Sequence, residues 1–131
     1  TVVSLNPCSD AILAEMLPPE RLLAVSHYSH DPAGTSMDLA LARTFRASGG
    51  TVEEVLALDP DLVVGSTSMP PATRAALEGL GMQVETLGIA STVEESEAQV
   101  RQLAAAVGEP ERGEALARRI GQAAARLEQS D

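Results

Sequence analysis

The sequence has little with which to build a covalent or aromatic framework. A single cysteine, Cys8, excludes an internal disulfide, so the redox compartment is not readable from cysteine pairing. Tryptophan is absent and Tyr28 and Phe45 are the only members of the Phe, Tyr and Trp set, so the core is expected to be aliphatic, built from Leu, Val, Ile and Ala. Lysine is absent as well: the nine basic residues are all Arg, and nineteen acidic residues bring the formal charge to −10. Such a balance repels phosphate backbones and anionic lipid, so no nucleic-acid partner is expected. No apolar run approaches the roughly eighteen residues of a spanning helix, so direct membrane insertion is not expected either. What remains is a chain of 131 residues with 44% apolar content. That suits one compact domain or one lobe of a larger body, long enough to bury a real core. The first residue is Thr, as a removed leader or a trimmed chain would leave it.

Short apolar runs alternate with segments of helical period. Val2-Val3-Ser4-Leu5, Leu22-Leu23-Ala24-Val25 and Leu62-Val63-Val64-Gly65 are aliphatic at consecutive positions, as expected of strands covered on both faces. Gln83-Val84-Glu85-Thr86-Leu87 is a fourth strand candidate, and Phe45-Arg46-Ala47 a short fifth. Thr51-Val52-Glu53-Glu54 and Thr92-Val93-Glu94-Glu95 read as capping boxes, the hydroxyl serving the amide three residues on and the carboxylate reaching back. Helices are predicted over 9–17, from 51 onward, 71–80 and 92–107, with Gly108 as a stop and Pro110 opening a last one. Val93, Val100, Leu103, Ala104 and Val107 share one face of the fourth of these; Leu116, Ile120, Ala123, Ala124 and Leu127 form the stripe of the last. The alternation predicts a three-layer α/β sandwich around a mostly parallel sheet of four to five strands. The irregular stretch 26–50 holds both histidines, an Asp-Pro-Ala-Gly turn over 31–34, a short helix within 37–43 and the Gly49-Gly50 pair.

In an open parallel sheet, ligands bind beyond the carboxyl ends of the strands. The residues there are Asn6, Pro7, Cys8, His27, Tyr28, Ser29, Gly50, Thr51, Ser66, Thr67 and Ser68. They are small and mostly uncharged, rich in donors and acceptors, with no general base evidently paired to a nucleophile. Binding therefore outranks catalysis on residue chemistry alone. Two other readings stay open. His27 and His30, three apart, with Cys8 nearby, suggest a bare divalent-metal site or simply loop histidines, since structural zinc uses firmer spacing. Cys8 at a helix start suggests a thiolate nucleophile in a flavodoxin-like enzyme, or a structural cysteine. Gly49-Gly50 matches neither the dinucleotide nor the Walker spacing and reads as a tight turn before Thr51.

Three segments carry a family resemblance: Val2-Val3-Ser4-Leu5-Asn6-Pro7; Leu23-Ala24-Val25-Ser26-His27-Tyr28-Ser29; and, most specifically, the run from Gly50 through Glu53-Glu54-Val55-Leu56-Ala57-Leu58-Asp59-Pro60-Asp61-Leu62-Val63-Val64. With Leu77-Glu78-Gly79-Leu80-Gly81-Met82-Gln83-Val84, the chain resembles the N-terminal lobe of class III, helical-backbone periplasmic substrate-binding proteins. These serve ABC importers of iron–siderophore complexes, haem and cobalamin. The resemblance implies a non-enzymatic receptor in the periplasm that hands a metal chelate or tetrapyrrole to permease subunits, and it implies no resident cofactor. It places a binding lobe at 1–109 and the start of a long interlobe helix at 110–131. It also assigns the ligand contacts to Asn6-Pro7-Cys8, His27-Tyr28-Ser29 and Ser66-Thr67-Ser68. Two positions depart from the family. Ala47 and Ser66 stand where cobalamin binders resemble aromatic clamps, leaving Tyr28 alone. Ala72-Thr73-Arg74 stands where an acidic permease-docking residue is expected, with Glu78 the one carboxylate of that helix.

Overall fold

The computed structural model describes residues 1–31 and 38–129, so the turn expected over 31–34 extends outside the described residues. The chain divides into two compact units, Thr1–Gly88 and Ile89–Asp131.

The first unit is an α/β layer structure. Its elements run β1 (Val2–Ser4), α1 (Pro7–Met16), β2 (Leu22–Ser26), a 3-10 turn (His27–His30), α2 (Leu39–Ala42), β3 (Ala47–Ser48), α3 (Val52–Leu58), β4 (Leu62–Ser66), α4 (Pro71–Gly79) and β5 (Gln83–Leu87). The strands form one five-stranded sheet in the order β3-β2-β1-β4-β5, and every pairing is parallel. The apolar runs became strands for the reason their composition gives: Val3, Val63 and Val84 lie side by side in register and join Ala24, Val55 of α3 and Leu77 of α4 in one buried cluster. Alternation along a strand sends Ser4 to the opposite face, where its hydroxyl meets Ser9 of α1 at 2.6 Å. Helix α1 thus covers one face of the sheet and α3 with α4 the other, which is the doubly wound arrangement.

Two local details differ from the sequence expectation. β3 is Ala47–Ser48 rather than residues 45–47. Phe45 is instead buried at the end of the α2 turn, its amide bonded to the Ala42 carbonyl at 3.2 Å. The residues after β2 do not trail off as loop but coil at once into the 3-10 turn, closed by the Asp31 amide on the Tyr28 carbonyl at 3.2 Å.

The second unit holds α5 (Val93–Val107) and α6 (Pro110–Gln129). Val100, Leu103, Ala104 and Val107 are buried along α5 as the period predicts. Among the described residues of α6 the buried positions are Gly113 and Ala117, whereas Leu127 is 71% exposed. The helices approach so closely that a methyl group on Gly113 would fall well inside 3.0 Å of the Ala104 Cβ. Small residues therefore make the closest approach, while Leu116, Ile120 and Ala124 of the expected stripe are only half-buried. Arg101 spans it with a bidentate pair to Glu114, at 2.9 and 3.2 Å. Among the described residues, no helix is long and apolar enough to cross a membrane.

Candidate functional site at the carboxyl ends of the strands

Strand order reverses between β1 and β4: from β1 the chain winds outward through β2 and β3, then returns to place β4 on the other side. Such a switch point leaves a crevice beyond the strand ends. A shallow depression of about 350 Å³ lies there, lined by Leu5, Gly50, Gly65, Ser66, Ser68, Met69, Pro70 and Thr73. Every one of these residues is uncharged.

The lining is shaped by backbone chemistry as much as by side chains. Gly50 stands at φ +85°, a left-handed conformation that L side chains rarely adopt. Glu54 helps to fix this turn: its carboxylate accepts from the Gly49 amide at 2.5 Å and the Ser48 hydroxyl at 3.2 Å. The Thr51 hydroxyl accepts from the Glu54 amide at 3.2 Å, which is the capping half of the predicted box. The carboxylate half reaches past Thr51 to Gly49. A shorter displacement, by one residue, occurs at α5, where Glu95 holds the Ser91 amide at 2.7 Å while Thr92 caps the Glu95 amide at 3.1 Å. On the β4 side, the Ser66 and Ser68 hydroxyls bond each other and the Ser68 amide donates to Ser66 Oγ at 2.9 Å. The exposed Thr67 is tied to β5 through its amide on the Leu87 carbonyl at 3.0 Å. Gly65 leaves room for Met69, whose terminal methyl would collide with any Cβ at that position.

After β1, Asn6 caps α1, its side-chain oxygen accepting from the Cys8 amide at 2.8 Å, and Pro7 takes the first helical position. Cys8 is exposed. After β2, His27 and Tyr28 project from the 3-10 turn with ring centroids 4.1 Å apart and planes tilted by 35°. Tyr28 is 52% exposed. Ser29 behaves differently from its neighbours. It is wholly buried and its hydroxyl donates to Asp10 at 2.6 Å, so it supports the rim from inside rather than facing a ligand. The two histidines also lean on the edge strand region: His30 Nε2 donates to the Phe45 carbonyl at 2.8 Å and His27 Nδ1 to the Ser48 carbonyl at 3.4 Å.

These contacts bear on the metal alternative. Among the described residues, which include Cys8, His27 and His30, no three of His, Cys, Asp and Glu are gathered to hold an ion. His30 Nε2 is already committed to a backbone carbonyl. The metal alternative that spacing left open thus gains no ligand set among the described residues: neighbouring positions in sequence or topology did not become neighbouring ligand atoms.

Leu5, Gly65, Met69, Pro70 and Thr73 were not anticipated as lining residues, and neither was Asp10. Asp10 sits in the first turns of α1 at 0% exposure. Its Oδ2 accepts from the Ser26 amide at 2.9 Å, the Ser26 hydroxyl at 2.5 Å and the Ser29 hydroxyl at 2.6 Å. Burial pushes its carboxyl above the ordinary value of 3.8, and these donors pull it only partly back. A sequence signal was present: an acidic residue between Ser9 and the inward-facing Leu13 lies on the buried side of the helix. A second depression, of about 430 Å³, borders the sheet edge at Arg46, Ala47, Ser48, Gly49, Glu54, Ala57 and Leu58. The Glu54 carboxylate in it is already engaged by Gly49 and Ser48.

The first unit is thus doubly wound, with an uncharged concave rim at its switch point. The chain belongs to the periplasmic binding protein family, whose model matches residues 2–130, and it corresponds to the N-terminal lobe of the class III members. A periplasmic haem-binding protein from Pseudomonas aeruginosa superposes with a TM-score of 0.74 at 27% identity, over 98% of this chain and 45% of that one. The periplasmic vitamin B12 binding protein BtuF of Vibrio cholerae gives 0.72 at 27% identity, over 98% and 49%. The haem-binding protein HutB of Vibrio cholerae gives 0.71 at 22% identity, over 92% and 46%, a likeness of fold. The chain therefore spans about half the length of these structures. No match was found among the curated proteins.

Proposed function

We propose that this chain is one lobe of an extracytoplasmic receptor that takes a tetrapyrrole or comparable metal chelate, haem or cobalamin foremost, and delivers it to the permease of an ABC importer. The observation that carries the reading is the rim itself: the depression at the β1/β4 switch point, lined by uncharged groups, and the exposed His27–Tyr28 pair at the end of β2. An uncharged wall suits the flat, largely apolar body of a macrocycle better than it suits a free anion or bare cation. Tyr28 and His27 supply an aromatic face and metal-directed atoms, while Ser68 and the rim amides supply hydrogen bonds. The haem and vitamin B12 binding proteins named above support the same ligand class, since the likeness to them covers nearly the whole chain.

A shallow half-site holds a ligand weakly, because a good pocket buries about 70–90% of the ligand's surface. In this reading α6 begins the connection to a second lobe that closes the cleft, and Asn6, Pro7, Cys8, His27, Tyr28, Gly50, Thr51, Ser66, Thr67 and Ser68 form this lobe's rim. The reading assigns no catalytic step to the chain. Its test is a titration of the two-lobed protein with haemin, cyanocobalamin and a ferric hydroxamate, followed by visible absorption and calorimetry. One of them is expected to bind at one equivalent, with loss of affinity in Tyr28→Ala. Failure of all three to bind overturns the proposal.

A further inference from the structure

Beneath the exposed pair lies a group for which the fold alone has little use. Ser4, Ser9, Asp10, Ser26 and Ser29 are all buried at the carboxyl ends of β1 and β2, where aliphatic packing would be expected. Their bonds are not scattered. Oδ2 of Asp10 receives the amide and hydroxyl of Ser26 and the hydroxyl of Ser29. Ser26 immediately precedes His27, and Ser29 immediately follows Tyr28. One carboxylate oxygen from α1 therefore holds both ends of the two-residue segment that carries the rings. The backbone closes the same turn through Asp31 and Tyr28, and His27 and His30 brace it laterally on the carbonyls of Ser48 and Phe45.

A burial-driven explanation of Asp10 fails on its own chemistry. Its Oδ1 is buried and has no hydrogen-bond partner among the described residues. An apolar side chain of similar size fills such a space without an orphan oxygen of its own, so filling space is not what calls for a carboxylate there. What an apolar residue cannot do is accept from Ser26 and Ser29 together. We infer that Asp10 is a positioning residue: it clamps Ser26 and Ser29 so that the His27 and Tyr28 rings are held outward on the rim in a fixed mutual arrangement, ready for the face of a macrocycle. This deepens the receptor reading and rests on it for the identity of what the rings meet, but not for the clamp.

The ring arrangement is measurable without a ligand, because Tyr28 is the only tyrosine of the chain and Trp is absent. In the chain labelled with 13C-tyrosine and 13C-histidine, cross-peaks between the two rings report the 4.1 Å contact. Asp10→Ala is expected to abolish them. Asp10→Asn, which keeps an acceptor oxygen for the serines, is expected to retain them. Val55→Ala opens a cavity on the opposite face of the sheet and serves as the stability control, with cross-peaks unchanged. Retention in Asp10→Ala, or equal loss in Val55→Ala, overturns the inference. If Asp10→Ala does not fold, Ser29→Ala removes the far anchor alone: loss of the cross-peaks supports the clamp and their persistence overturns it. Titration of the two-lobed protein with haemin and cyanocobalamin separates the two proposals. Binding weakened about ten- to a hundredfold in Asp10→Ala is expected, the scale of lost hydrogen bonds to a charged group. Unchanged binding with displaced rings overturns the functional part of the clamp. If the wild-type protein binds neither, the receptor reading fails while the cross-peaks still decide for or against the clamp.

Discussion

Replacing Gly113 with Ala is a stringent test of how α5 and α6 pack, because two well-measured effects oppose each other there. Alanine in a helix interior is favoured over glycine by about 1 kcal/mol, so on propensity alone Gly113→Ala stabilises α6. The added methyl group, however, falls well inside 3.0 Å of the Ala104 Cβ and 3.5 Å from the Val100 carbonyl oxygen. Carbon atoms ordinarily rest about 3.5–4.0 Å apart. A Cβ cannot rotate out of the way, so relief requires one helix to shift bodily and to loosen the buried Ala117. Overpacking of a filled interior costs about 1–3 kcal/mol, and a collision between two Cβ atoms belongs at the upper end. The net expectation is a loss of about 2 kcal/mol. Gly121→Ala, two turns further along α6, is the matched control. Its new methyl meets the Glu97 Oε1 at 2.9 Å, the end of a flexible side chain whose ion pair with Arg101 spans 3.7 Å at a half-exposed site. Glu97 swings aside at little cost, and the helix keeps most of the 1 kcal/mol. The assay is urea unfolding followed by circular dichroism, with amide exchange along α6 to localise the effect. Ala104→Gly combined with Gly113→Ala returns the missing space and is expected to show a coupling of about 3 kcal/mol between neighbours, the clash without the propensity gain. Equal or greater stability of Gly113→Ala, or an additive double variant, refutes the close-approach argument.

Gly50→Ala places a side chain at φ +85° and is expected to cost about 1–2 kcal/mol in urea unfolding. Its nearest neighbour is Leu5 Cδ2 at 4.0 Å, so the cost comes from the backbone rather than a clash; an unperturbed unfolding midpoint counts against it. Asp10 sets a pH dependence whose sign follows from its burial. Its folded-state carboxyl titrates above the ordinary 3.8, so from there upward the folded chain retains a proton that the unfolded chain has released. Stability from this group is therefore fullest below that range and falls as pH rises through the raised value. Asp10→Asn removes the titration, and the difference between the two urea-midpoint profiles is expected to widen with pH across that window. Parallel profiles contradict the assignment.

Elements whose identity depends on local chemistry were legible in the sequence. The aliphatic runs at residues 2–4, 22–26 and 62–66 are strands because a parallel sheet covered on both faces requires apolar side chains at successive positions. Thr51 and Thr92 cap because a hydroxyl three residues before an orphan amide has nowhere better to bond. Reading failed where the outcome was decided at a distance. Phe45 looked like a strand residue, yet the register that pairs Val25 with Ala47 starts β3 two positions later. The α6 stripe was assigned to Leu116, Ile120, Ala123, Ala124 and Leu127. The close approach to α5 selects Gly113 and Ala117 instead, leaving Leu127 exposed. Gly50, Ser66 and Ser68 line the depression at positions that the topological rule picks out. Met69 and Thr73 were not, because they reach the depression only through the turn after β4 and the space left by Gly65. For His27, His30 and Cys8 short spacing left a ligand set and plain loop histidines both open, and among the described residues no three potential ligands gather; each histidine instead spends one ring nitrogen on a backbone carbonyl.

The buried serines make the same division visible in energetic terms. Where β1 and β2 run through the sheet, Val2, Val3, Ala24 and Val25 are buried and apolar. Where those strands end, Ser4 and Ser26 are buried and polar. Each buried hydroxyl must find a partner or cost about 1–3 kcal/mol, and the partners found are one another, the Asn6 carbonyl and Asp10. A network so assembled adds little net stability over aliphatic packing, but it is directional, and an aliphatic contact is not. Fixed directions matter only where side chains must be presented at set angles, and the change from apolar to polar falls within one residue of the rim. Departures from the simplest packing are expected to collect at functional sites, and here they collect at the strand ends, under His27 and Tyr28 and at Ser48, whose hydroxyl meets Glu54, rather than in the body of the sheet, where Val55 and Leu77 close an ordinary aliphatic core.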